Sequence, residues 1–511
     1  MRLPPAVLTL ALVVAGGCAE LPRRVAERSD ALPIHPHSRI GRLYSDAAAS
    51  HPGQSGFVVL DRADQALDAR VAVIELADSS IDAQYFDWES DRVGQLLYDE
   101  ILRAADRGVR VRLLIDDIHV RPRDRPILAL DGHPNIEVRI FNPFVERRGS
   151  RALEWLRRFS HVNHRMHNKM LIVDGQALVV GGRNIADSYF GFDSVVTFRD
   201  LDLLAVGALA LDAEAAFDLY WNSPWAFPIG NLHRHRYKPE ESAALLAELR
   251  RTLAGIEAKL PKRKSEQAEE RLGRLDDDGR DLVWAPGELV YDRPEKIAAR
   301  KLHEPSPAAA RTALIASQAK HELVVEAAYF VPPKKLELVH TLRQRGVAMR
   351  ILTNSLASTD LVPVHAEYAK SRRGLVEAGV QLYELDAWAA SRSFYVAPPR
   401  ARLSLHTKVA IIDREWIFLG SANFDPRSSF LNTEVGIAVH SPALADKVLA
   451  AIARDFEPLN SWQVVVDDNG QLRWHGYRDG RARCLSREPA ASLARRVAAA
   501  FLAVLPLRPL L

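Results

Sequence analysis

The stretch HNKMLIVDGQALVVGGRN, from His167 to Asn184, has a close counterpart in HTKVAIIDREWIFLGSAN, from His406 to Asn423. Both begin with H-x-K-x4-D, continue with an apolar run and end with G-G-x-N or G-S-x-N. Each copy also follows an apolar strand that ends in Tyr-Phe, an amphipathic helix that stops at a glycine, and a further apolar strand. A repeat of this length indicates a duplicated domain rather than the short unit of a solenoid.

The order of the elements predicts the fold class. Strands alternate with helices in both copies, which is typical of parallel β-α-β units. We therefore predict two α/β domains, residues 38–240 and 281–470. Residues 241–280 are rich in charge and poor in large apolar side chains, and we predict that they form a solvent-exposed helical linker. Residues 471–511 are predicted to be a tail with a short apolar helix.

The composition is that of a globular protein. Of the 511 residues, 48% are hydrophobic and 26% are charged, and no internal stretch reaches the roughly 18 apolar residues that a membrane helix needs. The net charge of +3 is too small to indicate nucleic-acid binding by itself, so we expect no nucleic-acid partner.

The N-terminus has the pattern of an export signal. Arg2 precedes an apolar run from Ala6 to Ala15, and small residues and Cys18 follow. The pattern resembles a bacterial lipoprotein signal, in which residues 1–17 are removed and Cys18 carries lipid. A plain secretory signal is the alternative. We expect a protein of the bacterial cell envelope, lipid-anchored and facing the periplasm or the exterior, and the sequence leaves open which membrane holds it.

The residue types of the repeat fit chemistry at a phosphodiester. One copy alone would be equally compatible with an ordinary strand whose His and Lys face solvent, but two matching copies argue against that interpretation. If the motifs face each other, the lysines and Asn amides can bind phosphate oxygens. One imidazole can then attack phosphorus, and the other can serve as acid and base. Two cations at the phosphate remove the need for a metal ion, so we expect no metal and no other cofactor.

The two motifs resemble the paired signatures of the phospholipase D superfamily, and most closely those of bacterial cardiolipin synthases of the C type. The runs FRDLDLLAVG, DPRS and NTEVGIAV support the resemblance, which covers most of the chain beyond the signal. It implies an α/β fold of tandem duplicated phospholipase D-like domains, each a mixed β-sheet flanked by helices. One active site would lie at the pseudo-twofold interface.

The resemblance also implies roles for individual residues. His167 would be the nucleophile and His406 the general acid and base, although the sequence alone does not rank the two. The residues expected to hold the phosphate are Lys169, Lys408, Asn184, Asn423 and Ser421. The carboxylates expected to orient the imidazoles are Glu434 and its counterpart Asp200, with Asp202 as a competing choice. The aspartates expected to fix local structure are Asp174 and Asp413.

The reaction implied is phosphatidyl transfer that forms cardiolipin at a membrane surface. Phosphatidylglycerol and phosphatidylethanolamine are the candidate substrates. The sequence leaves open whether an accessory protein takes part. Hydrolysis to phosphatidic acid uses the same residues and is the first alternative. A nuclease is the second, and a catalytically inactive, lipid-tethered binding protein is the third.

Overall fold

The computed structural model describes residues 21, 23–35, 37–120, 124–145, 147, 151, 154–155, 158–233, 235, 237–256, 268–273, 282–298, 304–478 and 480–508. The predicted signal and Cys18 lie outside the described residues. None of the described helices has both the length and the apolar character needed to cross a membrane.

Each half of the chain builds one large mixed sheet. The strands up to the middle of the chain are β1 (Ser55–Leu60), β2 (Ser80–Tyr85), β3 (Arg110–Asp116), β4 (Ile136–Phe141), β5 (Met170–Val173), β6 (Ala177–Gly181), β7 (Val196–Arg199), β8 (Asp202–Gly207), β9 (Ala226–Pro228) and β10 (Val283–Ala285). The later strands are β11 (Gly287–Tyr291), β12 (Glu322–Ala327), β13 (Ala348–Asn354), β14 (Gln381–Leu385), β15 (Arg402–Leu405), β16 (Lys408–Ile412), β17 (Trp416–Gly420), β18 (Val435–His440), β19 (Ser461–Val466), β20 (Leu472–Arg478) and β21 (Arg481–Leu485).

The helices connect and flank these strands. Those described are α1 (Arg39–Ser50), α2 (Ala63–Glu75), α3 (Arg92–Asp106), α4 (Asp124–Leu130), α5 (Phe159–Val162), α6 (Ala208–Trp221), α7 (Pro239–Leu253), α8 (Ala268–Gly273), α9 (Pro307–Ser317), α10 (Glu337–Gln344), α11 (Val362–Glu377), α12 (Pro426–Phe430), α13 (Pro442–Ala453) and α14 (Leu493–Ala503).

The two sheets have the same internal topology. The first has the order β10-β1-β8-β6-β5-β2-β3-β4-β9 and the second β11-β18-β17-β16-β12-β13-β14-β19-β20-β21. In the first, β2, β3 and β4 are parallel, as are β12, β13 and β14 in the second, and the neighbouring pairs β2–β5 and β12–β16 are antiparallel. The prediction of tandem domains with mixed sheets flanked by helices is confirmed.

Alternating side chains of the motif strands place the two sheets against each other. On β16, Val409 and Ile411 join an apolar cluster that also contains Met170 and Ile172 of β5, whereas Ala410 and Ile412 face a separate cluster of the second half. This alternation is the period of two that a strand imposes. Because both motif strands contribute to one buried cluster, the segments that precede them meet at the interface between the halves.

The sheets do not end where the sequence suggested. The second sheet continues through β20 and β21, so the boundary predicted at residue 470 falls inside it. Near the other boundary, β10 lies in the range assigned to the second domain but pairs with β1 of the first sheet. Both differences arise from antiparallel pairing at sheet edges, which depends on partners far along the chain.

The linker is helical where it is described, but it is not wholly exposed. Leu249 and Leu253 of α7 and Leu272 of α8 are buried in the apolar cluster of the first half. Arg250 of α7 also forms an ion pair with Asp106. The prediction of an exposed linker is therefore wrong for α7 and α8. A few leucines on one face are enough to pack a charged helix against the domain.

Candidate active site

Backbone hydrogen bonds across the halves position both motif histidines. The N–H of His167 donates to the carbonyl of Thr433 over 2.9 Å, and the N–H of His406 donates to the carbonyl of Arg199 over 2.7 Å. Strand β5 begins only at Met170, so His167 lies before it and pairs with the other half. Each histidine thus lies just before its motif strand, on the seam between the sheets.

Each imidazole forms a pair with a carboxylate from the opposite half. His167 Nδ1 lies 2.9 Å from Glu434 Oε2, and His406 Nδ1 lies 2.7 Å from Asp200 Oδ2. Both carboxylates are at most 1% exposed. A carboxylate on Nδ1 fixes the tautomer that leaves Nε2 unprotonated in the neutral ring. Each imidazole can therefore present an unprotonated Nε2. Each depends for this on a carboxylate from the opposite half.

The two imidazoles border one cavity of about 800 Å³. The predicted phosphate-binding residues Asn184 and Asn423 also border it. Asn184 donates to Tyr189 Oη over 2.9 Å, whereas the buried side-chain oxygen of Asn423 has no hydrogen-bond partner among the described residues. The structure thus brings both histidines and both asparagines to one solvent-connected space of the size that small ligands fill.

The two lysines lie beneath the imidazoles and are each 1% exposed. Lys169 Nζ donates to the backbone carbonyl of His167 over 2.6 Å, and Lys408 Nζ donates to that of His406. Lys169 also lies 5.3 Å from the centre of the Phe86 ring. Backbone carbonyls thus hold both ammonium groups next to the histidines of their own motifs.

Ser421 contacts a catalytic partner rather than the cavity. Its hydroxyl donates to Glu434 Oε2 and accepts from the N–H of Val435. Ser428 donates to the other Glu434 oxygen over 2.7 Å. These two hydroxyls hold the carboxylate that pairs with His167. The expected contact of Ser421 with a phosphate stays a prediction.

The remaining carboxylates of the motifs are structural in their contacts. Asp174 accepts hydrogen bonds from three successive backbone N–H groups, those of residues 78–80, and Asp413 does the same for residues 320–322. Of the two competing aspartates, Asp200 pairs with His406, whereas Asp202 forms ion pairs with Arg70 and Arg183.

Burial and the lysines together set the charges of the site. Burial and the ammonium of Lys169 lower the pKa of His167 to about 4, although Glu434 opposes the shift. Burial, Lys408 and Lys169 lower the pKa of His406. Burial and the neighbouring Lys408 lower the pKa of Lys169 to about 7. Both imidazoles are therefore neutral at pH 7, the state that an attacking nitrogen requires.

The carboxylate of Glu434, which pairs with His167, stays ionised. Burial alone would raise the pKa of Glu434, but His167, Lys169 and the Ser421 hydroxyl lower it to about 2. Burial raises the pKa of Asp200, although the positive charge of Lys408 acts to lower it. The two His–carboxylate pairs thus share a geometry but differ in electrostatics, which makes the pseudo-twofold site chemically asymmetric.

Two site residues were given no role from the sequence. Tyr189 borders the cavity, and its hydroxyl lies 3.5 Å from His406 Nε2. Ser428 holds Glu434 and belongs to the DPRS run that supported the family resemblance. Both follow their motif Asn by five residues, at 184 + 5 and 423 + 5, so aligning the repeats beyond the asparagines would have drawn attention to them.

Comparison with known proteins identifies the family. The family described as "Cardiolipin synthase, PLD-like domain" matches residues 71–200 and 314–456. The chain is 36% identical over 480 residues to cardiolipin synthase C of Escherichia coli, which covers 93% of this chain and 100% of that protein. The chain belongs to the phospholipase D-like cardiolipin synthase family. Membership makes it a transphosphatidylase of the phospholipase D type, with phospholipid substrates.

More distant relatives agree with this assignment. Cardiolipin synthase B of Salmonella typhimurium is 25% identical over 81% of this chain and 81% of its own length. Among solved structures, a phosphatidylserine synthase of Haemophilus influenzae aligns with a TM-score of 0.50 at 13% identity, over 81% of this chain and 90% of that one. That structural match supports the fold alone.

Proposed function

We propose that the enzyme joins two phospholipids into cardiolipin through a phosphohistidine on His167. The observation that carries the proposal is the exchange of carboxylates between halves, by which His167 and His406 face one cavity with Nδ1 of each held by a carboxylate. Nucleophile and acid–base catalyst need this arrangement on opposite sides of one phosphorus.

In the first step, Nε2 of His167 attacks the phosphorus of a donor phospholipid. The bond from phosphorus to the head-group oxygen breaks, and His406 protonates that oxygen, so phosphatidylglycerol releases glycerol. The resting pKa of His406 is low because of burial and the two lysines. A bound phosphodiester supplies negative charge that offsets both ammonium groups, which raises the pKa and lets His406 carry the proton.

In the second step, the head-group hydroxyl of a second phosphatidylglycerol attacks the phosphohistidine. His406 accepts the hydroxyl proton, the P–N bond breaks, and His167 returns to its neutral form. The net change is two phosphatidylglycerols to one cardiolipin and one glycerol, and phosphatidylethanolamine as donor would release ethanolamine instead. Lys169 and Lys408 stabilise the charge on the phosphoryl oxygens in both steps.

Product analysis tests this proposal. Purified enzyme with phosphatidylglycerol vesicles should yield mainly cardiolipin, and the rate should be unchanged in EDTA because two lysines neutralise the phosphate. Phosphatidic acid as the main product would establish the hydrolase alternative. Loss of activity in EDTA that a divalent ion restores would contradict the metal-free mechanism, and cleavage of DNA without lipid turnover would establish a nuclease.

The pH dependence of kcat/KM should be a bell with limbs near the pKa values of two free-enzyme groups. With a phosphatidyl ester of 4-nitrophenol, which needs no proton donor, the rate should fall as the pH drops through about 4, where His167 becomes protonated. It should fall again as the pH rises through about 7, where Lys169 loses its charge. Circular dichroism at each pH excludes unfolding, and an acid limb near 6.5 would contradict a buried neutral His167.

We also propose that helix α14 rests on the membrane surface beside the cavity. Its outward side chains Leu493, Val497, Phe501 and Val504 are 61–79% exposed, and the inward Arg495 donates to the carbonyls of Leu356 and Thr359. The next residues, Asp360 and Leu361, border the catalytic cavity. An outward apolar stripe beside a lipid-processing cavity fits burial in the interfacial region of a bilayer.

Charging this stripe should weaken membrane binding. In protein without a lipid anchor, Val497→Glu/Phe501→Glu should lower the affinity for phosphatidylglycerol vesicles about tenfold or more, since each side chain loses its apolar burial. The matched control is Val25→Glu/Leu211→Glu, which charges two exposed apolar residues of the first half. Vesicle co-sedimentation measures both, and equal losses in the two variants would contradict a membrane role specific to α14.

We place the enzyme in the bacterial cell envelope, anchored through lipid on Cys18. The support is the signal-like pattern before Cys18. Metabolic labelling with a tritiated fatty acid tests it, because label on the full chain and none on Cys18→Ser is expected. Equal labelling of both would contradict the anchor.

A further inference from the structure

A second cavity of about 370 Å³ opens between α9, the sheet of the second half and the segment from Phe330 to Val339. Its walls are mainly apolar and include Phe330, Val331, Leu336, Met349 and Phe418. We call it the apolar groove. A cleft with mainly apolar walls is suited to an apolar group.

The groove exists because small residues replace large ones on one helix. Strands β2 and β12 correspond at an offset of 242 residues. The same offset aligns the C-terminal ends of α2 and α9. On α2 the positions that match the groove lining are Leu67, Arg70, Val71 and Ile74, and all are buried. Their counterparts on α9 border the groove and are Ala309, Thr312, Ala313 and Ala316.

The same contrast holds on the sheet side. In the first half, Arg70 and Arg183 form buried ion pairs with Asp202. Gly181 pairs with Asp202, and Gly420, which holds the same place in the second motif, pairs with Gly436. The counterpart of Asp202 is therefore Gly436, and that of Arg183 is Ala422. A buried cluster of three charged side chains in one half is therefore matched by a threonine, an alanine and a glycine in the other.

Coverage of the two helices also differs. Helix α8 packs on α2, and its Leu272 joins the apolar cluster there. The helix that follows the second sheet, α14, packs on α11 instead, and Ala313 of α9 is exposed. Among the described residues, the first half thus fills and covers this position with its own chain, whereas the second half leaves it open.

The groove adjoins the catalytic cavity. Asn423, Asp425 and Ser428 border both spaces, and Glu434, which orients His167, borders the groove. These polar residues stand where the groove meets the catalytic centre, and the other walls are mainly apolar. A ligand that fits both spaces has a phosphate at one end and a hydrocarbon chain at the other.

We infer that the apolar groove binds one acyl chain of the phospholipid substrate while its phosphate lies between His167 and His406. This inference rests on the proposed function and adds a subsite that belongs to the second half alone. An acyl chain buries hydrocarbon against the alanines of α9, and the chain length that the groove accommodates sets the preference among diacyl substrates.

Restoring the bulk of the first half should close the subsite. The variant Ala309→Leu/Ala316→Ile introduces the side chains of Leu67 and Ile74. It should lower kcat/KM for dipalmitoyl phosphatidylglycerol at least tenfold while changing that for soluble dibutanoyl phosphatidylglycerol less than twofold. The matched control is Ala310→Leu, at an exposed position of the same helix, which should leave both unchanged. An unchanged ratio of the two rates in the double variant overturns the inference.

Photolabelling tests binding without turnover. Unaltered enzyme is irradiated with a phosphatidylglycerol that carries a diazirine in its acyl chain, and the labelled peptides are identified by mass spectrometry. Label on Pro307–Ser317 or on residues 330–339 is expected, and label only on other segments overturns the groove. Because labelling needs no catalysis, an enzyme that binds lipid here but makes no cardiolipin would refute the proposed reaction and leave the subsite intact.

Discussion

Replacing His167 with alanine should abolish lipid turnover, with a loss of about 10⁴-fold or more in kcat, the scale on which enzymes lose activity with their nucleophile. We do not expect His406, the histidine of the other motif, to take its place, because Asp200 holds its Nδ1. The loss should persist with a 4-nitrophenyl phosphatidyl ester, since a better leaving group does not replace the attacking atom.

The matched control is His161→Ala, which removes a histidine six residues upstream that does not border the catalytic cavity. It should retain activity within about twofold, as substitutions away from a site usually do. If His167→Ala still turned over the 4-nitrophenyl ester at a comparable rate, the nucleophile would lie elsewhere.

Replacing His406 with alanine should slow turnover of phosphatidylglycerol by about 10²- to 10⁴-fold, the usual contribution of a general acid–base group. The first step with the 4-nitrophenyl ester should be nearly unaffected, because nitrophenolate leaves without a proton. A rapid release of one equivalent of nitrophenol, followed by slow turnover, is the expected time course.

The control for this variant is His440→Ala, at an exposed position on β18. Both the natural lipid and the activated ester should react normally with it. Equal losses on both substrates in His406→Ala would show that His406 does not act as the acid for the leaving group, and would contradict its assigned role.

The repeat predicted the fold well because it carries local signals twice. Strand alternation and the glycines after α3 and α10 are short-range patterns, and the duplicated order of elements follows from them. The positions of β10, β20 and β21 depend on pairing at sheet edges, which no local pattern encodes. The buried leucines of α7 and α8 were missed for a related reason, since their partners lie on α2 and other elements of the first domain.

The site was predictable in its residue types and less so in its pairings. Asp200 and Asp202 are two residues apart, so counting along a strand could not separate them. Arg70 and Arg183 form ion pairs with Asp202, whereas Asp200 pairs with His406. These long-range contacts distinguish the two aspartates. Ser421 was assigned to the phosphate because it lies within the motif, whereas its hydroxyl bonds to Glu434.

The exchange of carboxylates between the halves is the feature that a single copy of the repeat could not show. Glu434 lies in the second half and orients the histidine of the first, while Asp200 does the reverse. Each half therefore holds a histidine whose partner it lacks. This dependence explains why the chain carries the motif twice and why both copies keep His, Lys and Asn.

Trapping the covalent intermediate tests the central claim most directly. His406→Ala is mixed with the 4-nitrophenyl phosphatidyl ester, quenched during the nitrophenol burst, digested at neutral pH and mapped by mass spectrometry. We expect one phosphatidyl group per chain, on His167, and no adduct in His167→Ala treated in the same way. An adduct on His406 in His167→Ala, or full nitrophenol release without any adduct, would contradict it.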